Sequence, residues 1–210
     1  MGLTRRTYRQ RVLDEYGAEP PPWLSENWVN TQIDRASREV AEATGFKQGT
    51  AGFTAAKNTR LYTLAPDFIR VDAVEANASR GLDPTTKEEV QYLYGDSWRA
   101  GTGALSKWYM EDKRRIGLYP IPATAGSALL IFGPQYPAVL SSDTQTSEVP
   151  TGLEDAVISR ICHRMARRDN RPEMRQLAEQ FLAEFDGAVN RFRSVEPMAA
   201  GTKFVGPPRA

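Results

Sequence analysis

The side chains best suited to catalysis in this chain are its single cysteine and single histidine, Cys162 and His163, which follow one another. A thiol beside an imidazole is the pairing that a cysteine nucleophile and its general base require. Both residues fall within a helical pattern, and consecutive helix residues point about 100° apart. They are therefore badly placed to contact each other. We expect Cys162 to be a small core residue and His163 to be a partly exposed helix residue.

Other short motifs also fail as reactive sites. The segment GTGALSK at 101–107 has glycines and a lysine, as phosphate-binding loops do, but it lacks their spacing and precedes a strand pattern. Glu88-Glu89 and Glu111-Asp112 are acidic pairs without a further ligand at metal-binding spacing. A single cysteine excludes an internal disulfide and a cysteine-based zinc site. The sequence thus predicts no catalytic residues, no metal, no cofactor and no enzyme activity.

Two groups of arginines remain as candidates for binding an anionic partner. One group lies on the first predicted helix, and the other, near the C-terminal helices, includes Arg164, Arg167 and Arg168. The whole chain carries 27 basic and 26 acidic residues, so it has no general attraction to DNA or to anionic membranes. Two interpretations stay open for the arginines: solvated helix faces, or channel and interface residues near DNA or an acidic partner.

The composition is that of a soluble globular protein. The chain has 210 residues, of which 40% are hydrophobic and 25% charged, enough for one domain or for a domain with an insertion. Its N-terminus lacks the apolar segment of a signal peptide, and no apolar run approaches the ~20 residues of a membrane span. We expect no membrane partner.

Helical patterns occupy both ends of the chain. Apolar residues recur at three- and four-residue spacing in residues 4–16, 25–44, 151–168 and 172–194. Gly17 and Gly45 follow the first two segments, as glycine does at helix ends. Thr151 and Glu154 have the spacing of a capping box. The last two helices, joined by a tight turn, predict an αα-hairpin that packs with the first two helices into a bundle.

Short apolar runs separated by turns fill the middle of the chain and predict an antiparallel β region. LSKWYM, IGLYPI and ALLIFG, at 105–110, 116–121 and 128–133, predict three strands of one meander. Two more strands, at 60–64 and 68–76, are predicted to pair with each other. Thr86 should cap a short helix at 87–93.

The predicted fold class is therefore α+β. A single domain, residues 1–194, combines the helical bundle of 1–45 and 151–194 with an inserted β region at 46–150. An extended tail, 195–210, follows it. The tail has no periodicity but carries Met198, Phe204 and Val205, so it is either a frayed terminus or a segment that docks onto another chain.

Six aromatic residues of the β region could lie either in the core or at an interface with another chain. We expect about half of them to lie in the core. They are Tyr62, Tyr92, Tyr94, Trp98, Trp108 and Tyr109.

Four segments in a fixed order resemble a known family. They are the strand RRIGLYPIP, the strand ALLIFGPQYP, the linker and helix SEVPTGLEDAVISRICHRMARRDN, and the helix PEMRQLAEQFLAEFDGAVNRF. Together they are similar to the head-to-tail adaptor, or connector, proteins of tailed bacteriophages and related gene-transfer particles. The resemblance covers residues 105–194 well and 1–45 loosely.

This resemblance implies a structural virion protein. It would form a ring oligomer of about twelve copies, a dodecamer, beneath the portal. It would extend the DNA channel used in genome ejection, without sequence-specific DNA binding, and dock the next tail or neck component. Its place would be the virion neck, after synthesis in the host cytoplasm. Met198, Phe204 and Val205 become expected portal contacts, and loops of the β region would face the tail.

Alternatives to this interpretation come from other classes of protein. One is another neck or tail completion protein, a stopper or a terminator, which should be richer in β-structure. The other is a DNA-binding accessory protein that uses the C-terminal arginines and should bind DNA with strong salt dependence.

Overall fold

The computed structural model describes residues 2–17, 20–77, 80–169 and 171–195. It divides into two compact units. The helical unit comprises Met1–Phe46 and Pro137–Ala210, and the β unit comprises Lys47–Tyr136. The combination of helices and mainly antiparallel sheets agrees with the predicted α+β class. Residues 137–150, predicted as the end of the β region, belong to the helical unit.

The described residues form five α-helices and ten strands. The helices are α1 (Arg5–Tyr16), α2 (Glu26–Thr44), α3 (Lys87–Tyr94), α4 (Thr151–Arg168) and α5 (Pro172–Val195). The strands are β1 (Gln48–Thr54), β2 (Leu61–Thr63), β3 (Ala73–Ala76), β4 (Arg80–Gly81), β5 (Asp83–Pro84), β6 (Thr102–Gly103), β7 (Lys107–Asp112), β8 (Arg115–Tyr119), β9 (Ile121–Pro122) and β10 (Ala128–Pro134). A 3₁₀ helix, Gly95–Arg99, follows α3.

Local capping explains where the first helices begin and end. The Thr4 hydroxyl accepts the N–H of Thr7 at the start of α1, and the Ser25 hydroxyl accepts the N–H of Trp28 at the start of α2. Gly17 and Gly45 end these helices in the left-handed conformation, at φ of +64° and +66°. Glycine adopts this conformation without steric cost. The predicted helix ends are confirmed here.

The capping box predicted at Thr151 is wrong. Pro150 occupies the cap position, and no side chain caps α4. The carboxylate of Glu154, which is only 3% exposed, instead accepts the backbone N–H of Leu3 at 2.6 Å. A buried carboxylate requires such a partner, and this one lies too far away in sequence for a local motif to reveal it.

One apolar core holds the helical unit together. Helices α1, α2, α4 and α5 all contribute to it, and α4 packs against the other three. Trp23 and Trp28 pack edge-to-face at its border, with 5.3 Å between ring centroids. The largest fully buried side chains of this core are Tyr8, Val12, Ile33, Leu153, Ile161 and Met165.

The polar linker before α4 is an ordered part of the same unit. Ser147 donates its N–H to the carbonyl of Leu3 at 2.9 Å, so the linker pairs with the segment before α1. Asp143 binds the Arg9 guanidinium through both carboxylate oxygens, at 2.9 and 2.6 Å, and Arg5 at 3.1 Å. The two arginines hold the pKa of Asp143 below its usual value.

The β unit contains two four-stranded sheets and a two-stranded one. Their strand orders are β1-β10-β3-β4, β2-β8-β7-β5 and β6-β9. Strands β7 and β8 form the predicted antiparallel pair, but β10 leaves them and lies between β1 and β3 of the other sheet. The predicted three-strand meander is therefore wrong.

The predicted pairing of 60–64 with 68–76 is also wrong. Strand β2 pairs with β8, and β3 pairs with β10. Strand β1, whose QGTAGFT sequence has little apolar alternation, was not predicted at all. It takes the side of β10 opposite β3, and both pairings bury Leu129 and Ile131 of β10. Burial selects strand partners that lie far apart in sequence.

Gly133 of β10 lies at a close approach between two backbone segments. A Cβ atom at this position would stand 2.2 Å from the carbonyl oxygen of Arg70. Backbone atoms cannot yield as a flexible side chain does. Only glycine therefore fits here without a shift of the chain.

We expect Gly133→Ala to lower the free energy of unfolding of the β unit by about 1–3 kcal/mol, the usual cost of overpacking. The matched control is Gly52→Ala in the same sheet, where the nearest atom to the new Cβ, Leu130 Cδ2, would be 3.5 Å away. Urea denaturation should show a lower midpoint for the first variant alone. Equal midpoints would contradict the close approach.

Candidate partner-binding surfaces

The Cys162–His163 pair is not a reactive site. Cys162 is fully buried, and its Sγ faces the Val12 carbonyl at 3.6 Å. Burial raises the pKa of its thiol to about 12, which disfavours the nucleophilic thiolate near neutral pH. His163 is half-buried beside Arg160, and burial lowers the pKa of its imidazole. The core role expected for Cys162 is confirmed.

The residues of the acidic pair Glu111-Asp112 are both engaged in ion pairs. Glu111 binds the Lys87 ammonium at 2.7 Å, and Asp112 binds the Arg115 guanidinium at 2.6 Å. Within the described ranges, no group of three or more His, Cys, Asp and Glu residues is placed to hold a metal ion.

No described helix combines the length and the apolar character that crossing a membrane would need.

Glu39 of α2 joins two arginines of α4. One of its oxygens accepts from Arg160 Nε at 2.7 Å, and the other accepts from the Arg164 guanidinium. Arg164 also donates to the side-chain oxygen of Gln32 at 3.0 Å. Burial lowers the pKa of Arg164, although Glu39 opposes this effect. Arg164, predicted as a channel or interface residue, is thus bound inside the helical unit.

The other two predicted arginines lie on the surface. Arg167 and Arg168 are both exposed near the end of α4. The guanidinium of Arg168 lies over the Trp23 ring, 4.4 Å from its centroid, which fixes its position. These two residues keep their charge available to a partner.

A more distinctive surface lies on α3, which buries Val90 alone among its eight residues. Three consecutive residues at its C-terminal end project apolar area into solvent. Tyr92, Leu93 and Tyr94 are 87%, 53% and 43% exposed, and we call them the α3 patch. Single exposed hydrophobic residues are common, whereas a run of three exposed apolar residues is unusual unless it serves a function such as protein binding.

An aromatic cluster supports the α3 patch from below. Tyr94 packs on the buried Tyr119, with 4.5 Å between ring centroids. Trp98 packs edge-to-face on Tyr109, and the Arg60 guanidinium lies 4.8 Å from the Trp98 centroid. Aromatic and arginine side chains on a rigid support are enriched at the centres of protein interfaces.

The six aromatic residues divide as expected between core and surface. Trp98, Trp108 and Tyr109 are buried, Tyr62 is half-buried, and Tyr92 and Tyr94 are exposed. The sequence alone did not assign individual members, because α3 is too short for its periodicity to identify a buried face. The run Tyr-Leu-Tyr just before a glycine was the one signal available.

Acidic side chains flank the patch. Glu88, Glu89 and Asp96 are exposed in α3 and in the 3₁₀ helix that follows it. Arg99 of the same 3₁₀ helix is exposed as well, so acidic residues exceed basic ones around the patch without being alone there. This acidic excess favours basic partners over acidic ones.

Residues 4–205 match the family model described as SU10 adaptor protein. The chain belongs to this family of phage head-to-tail adaptors. The match covers almost the whole chain and confirms the resemblance drawn from 105–194. No curated protein matches the chain. The adaptor is thus a structural virion component of a bacteriophage, and its family implies contacts with portal and tail proteins.

The C-terminal candidates of the adaptor lie inside the family match but outside the described residues. They are Met198, Phe204 and Val205. Helix α5, which leads to them, ends at Val195 with its side chain 72% exposed.

Removal of the Glu39 carboxylate should destabilise the helical unit, because Arg160 and Arg164 would keep their charges without a counter-ion. We expect Glu39→Ala to lower the free energy of unfolding by about 1–3 kcal/mol. The matched control is Arg35→Ala, since Arg35 lies 3.8 Å from Glu39 on a side chain that is 68% exposed. Its effect should stay below about 0.5 kcal/mol. Thermal unfolding of both variants measures this difference, and similar effects would argue against a specific role for the α4 arginines.

Proposed function

We propose that this protein forms a ring of about twelve copies beneath the portal of a tailed phage or phage-like particle, in the virion neck. The ring extends the DNA channel and docks the next tail component. The family match over residues 4–205 is the observation that carries the proposal. It is supported by an exposed apolar surface that an isolated soluble chain has no need of.

The helical unit forms the wall of this ring. We interpret its four helices as the predicted bundle, with α4 and α5 as its αα-hairpin and the β unit inserted into the same domain. The ion pairs that Glu39 of α2 forms with Arg160 and Arg164 of α4 stiffen this wall. A rigid wall suits a channel whose width must stay constant.

The tail 195–210, whose first residue is also the last of α5, makes the portal contact in this proposal. Met198, Phe204 and Val205 supply apolar side chains in a segment of 16 residues, 195–210, that contains three prolines. A segment without helical or strand periodicity gains order when a partner surface covers its apolar residues.

The β unit faces the tail, and the α3 patch contacts the next tail component. The patch offers two tyrosines and a leucine on an aromatic support, which is the composition of an interface centre. The acidic rim of the patch calls for a partner surface with lysines or arginines around its apolar residues.

Passage of DNA requires weak contacts along the channel. A net charge of +1 for the whole chain meets this condition. Arg167 and Arg168 are the members of the predicted set that we assign to the channel or to a subunit interface. A DNA-binding accessory role would instead require measurable, salt-dependent affinity of the monomer for DNA.

Truncation after Ser194 should abolish portal binding and leave the monomer folded, because all the described core residues of both units lie before this residue. The intact chain should decorate purified portal rings in negative-stain images, and the truncated chain should not. The triple variant Met198→Ser, Phe204→Ser, Val205→Ser separates loss of the side chains from loss of the segment. Decoration by both altered proteins would exclude the tail as the portal contact.

Tyr92→Ser combined with Leu93→Ser should weaken binding to the purified next tail component at least about tenfold, since truncated interface-centre residues cost more than 1 kcal/mol each. Portal binding and the melting temperature should stay unchanged, because both side chains are mainly exposed. Val139→Ser, at a residue 50% exposed in the helical unit, is the matched control. An equal effect of the control on tail binding would reject the α3 patch as a specific contact.

A further inference from the structure

Helix α3 is attached to the β unit near both of its ends. Near its N-terminal end, the Lys87 ammonium binds the Glu111 carboxylate of β7 at 2.7 Å. At its C-terminal end, the Tyr94 ring packs on the ring of Tyr119. The α3 patch lies at this second end, so the position of the patch depends on how the chain leaves the helix.

Gly95 is the joint at which the chain leaves α3. Its φ of +59° and ψ of −159° belong to a region of backbone conformation that is essentially restricted to glycine. The 3₁₀ helix begins at the same residue. The backbone conformation of Gly95 therefore sets the direction of the 3₁₀ helix relative to α3.

The two helical segments on either side of this joint share one aromatic cluster. Val90 of α3 and Trp98 of the 3₁₀ helix are both buried in it. Trp98 packs edge-to-face on Tyr109 of β7, with 6.0 Å between ring centroids. The conformation of Gly95 is thus the one in which both segments bury a side chain in the same cluster while the α3 patch stays exposed.

Lack of space is not the reason for a glycine at this joint. Among the described residues, no atom beyond the immediate chain neighbours would lie within 4 Å of a Cβ atom at Gly95. Gly133 differs in this respect, because a Cβ atom there would meet the Arg70 carbonyl. At Gly95 the backbone conformation alone disfavours other L-residues.

We propose that Gly95 is a positioning residue of the α3 patch. Its backbone conformation keeps Tyr94 on Tyr119 and so presents Tyr92 and Leu93 to the partner in one fixed orientation. A surface that is already ordered binds more tightly, because less conformational freedom is lost on association. This inference rests on the proposed function, because the partner is the next tail component.

Gly95→Ala tests the joint, because an L-residue favours a negative φ and should turn the end of α3 away from Tyr119. We expect the affinity for the purified next tail component to fall at least about tenfold, the usual effect of losing a contact at an interface centre.

The matched control is Gly126→Ala. Gly126 also has a positive φ, +107°, and equally open space around a new Cβ atom, but it lies in the link between β9 and β10. Both substitutions should lower the melting temperature, since alanine is disfavoured at positive φ. The control should nevertheless bind the tail component as the unaltered chain does.

Nuclear Overhauser contacts between the rings of Tyr94 and Tyr119 give a second readout that needs no partner. The unaltered chain and Gly126→Ala should show these contacts, and Gly95→Ala should lose them. A semisynthetic chain with D-alanine at position 95 should keep both the ring contacts and the affinity, because a D-residue favours positive φ.

The outcomes separate this inference from the proposed function. If the unaltered chain binds the tail component but Gly95→Ala keeps its affinity or its ring contacts, Gly95 does not position the patch and the proposed function stands. The inference is also wrong if the D-alanine chain loses as much affinity as Gly95→Ala. Equal losses in Gly95→Ala and Gly126→Ala would reject it too, since they would result from general destabilisation. If the unaltered chain binds neither portal nor tail component, the proposed function fails and the inference fails with it.

Discussion

The burial of α4 is the constraint on which the helical unit depends. This helix packs against α1, α2 and α5, and most of its apolar side chains are inaccessible to water. Its partners α1 and α2 precede the β unit in sequence, whereas α4 and α5 follow it. The core of the helical unit is therefore complete only when α4 and α5, which follow the β unit in sequence, pack against α1 and α2. Because the entropy of loop closure rises slowly with loop length, apolar burial of this extent can offset the cost.

Polar contacts then fix the register of the returning chain. Asp143 binds two arginines of α1, Glu154 accepts the N–H of Leu3, and Glu39 binds two arginines of α4. Each contact joins residues more than 100 positions apart, as in the pairing of Arg160 with Glu39 at a separation of 121. Apolar packing alone tolerates small shifts along a helix. Buried or half-buried carboxylates do not, because each needs its own donor.

Local signals in the sequence predicted the positions of the helices, although the capping box at Thr151 was wrong. The pairing of the strands depended on contacts between residues far apart in sequence. Thr4, Ser25, Gly17 and Gly45 marked helix ends correctly because capping involves only adjacent backbone groups. The approximate positions of β7, β8 and β10 could also be predicted from their apolar alternation. Their partners could not, because strand pairing depends on which faces are buried together. Strand β1 was not predicted for the same reason. Its glycines and threonines give no strand pattern by themselves, and the strand is recognised only from its pairing with β10.

The candidate surfaces follow the same division. Helical geometry was enough to predict that Cys162 and His163 do not form a nucleophile–base pair. The order of four sequence segments was enough to indicate the family. The hydrogen bonds of Arg164 inside the helical unit and the exposure of the α3 patch could be seen only in the structure. The sequence does not show whether a given arginine or tyrosine is buried or exposed.

The division of the helical unit into two stretches of chain has a consequence during synthesis. A ribosome adds about 5–20 residues per second, so roughly 5–20 s separate the emergence of α2 from that of α4. During this interval Val12 and Ile33, which α4 later helps to cover, have no complete core to enter. The β unit, by contrast, is a continuous stretch of chain and can fold as it emerges. The nascent adaptor is therefore most vulnerable to aggregation through its first two helices.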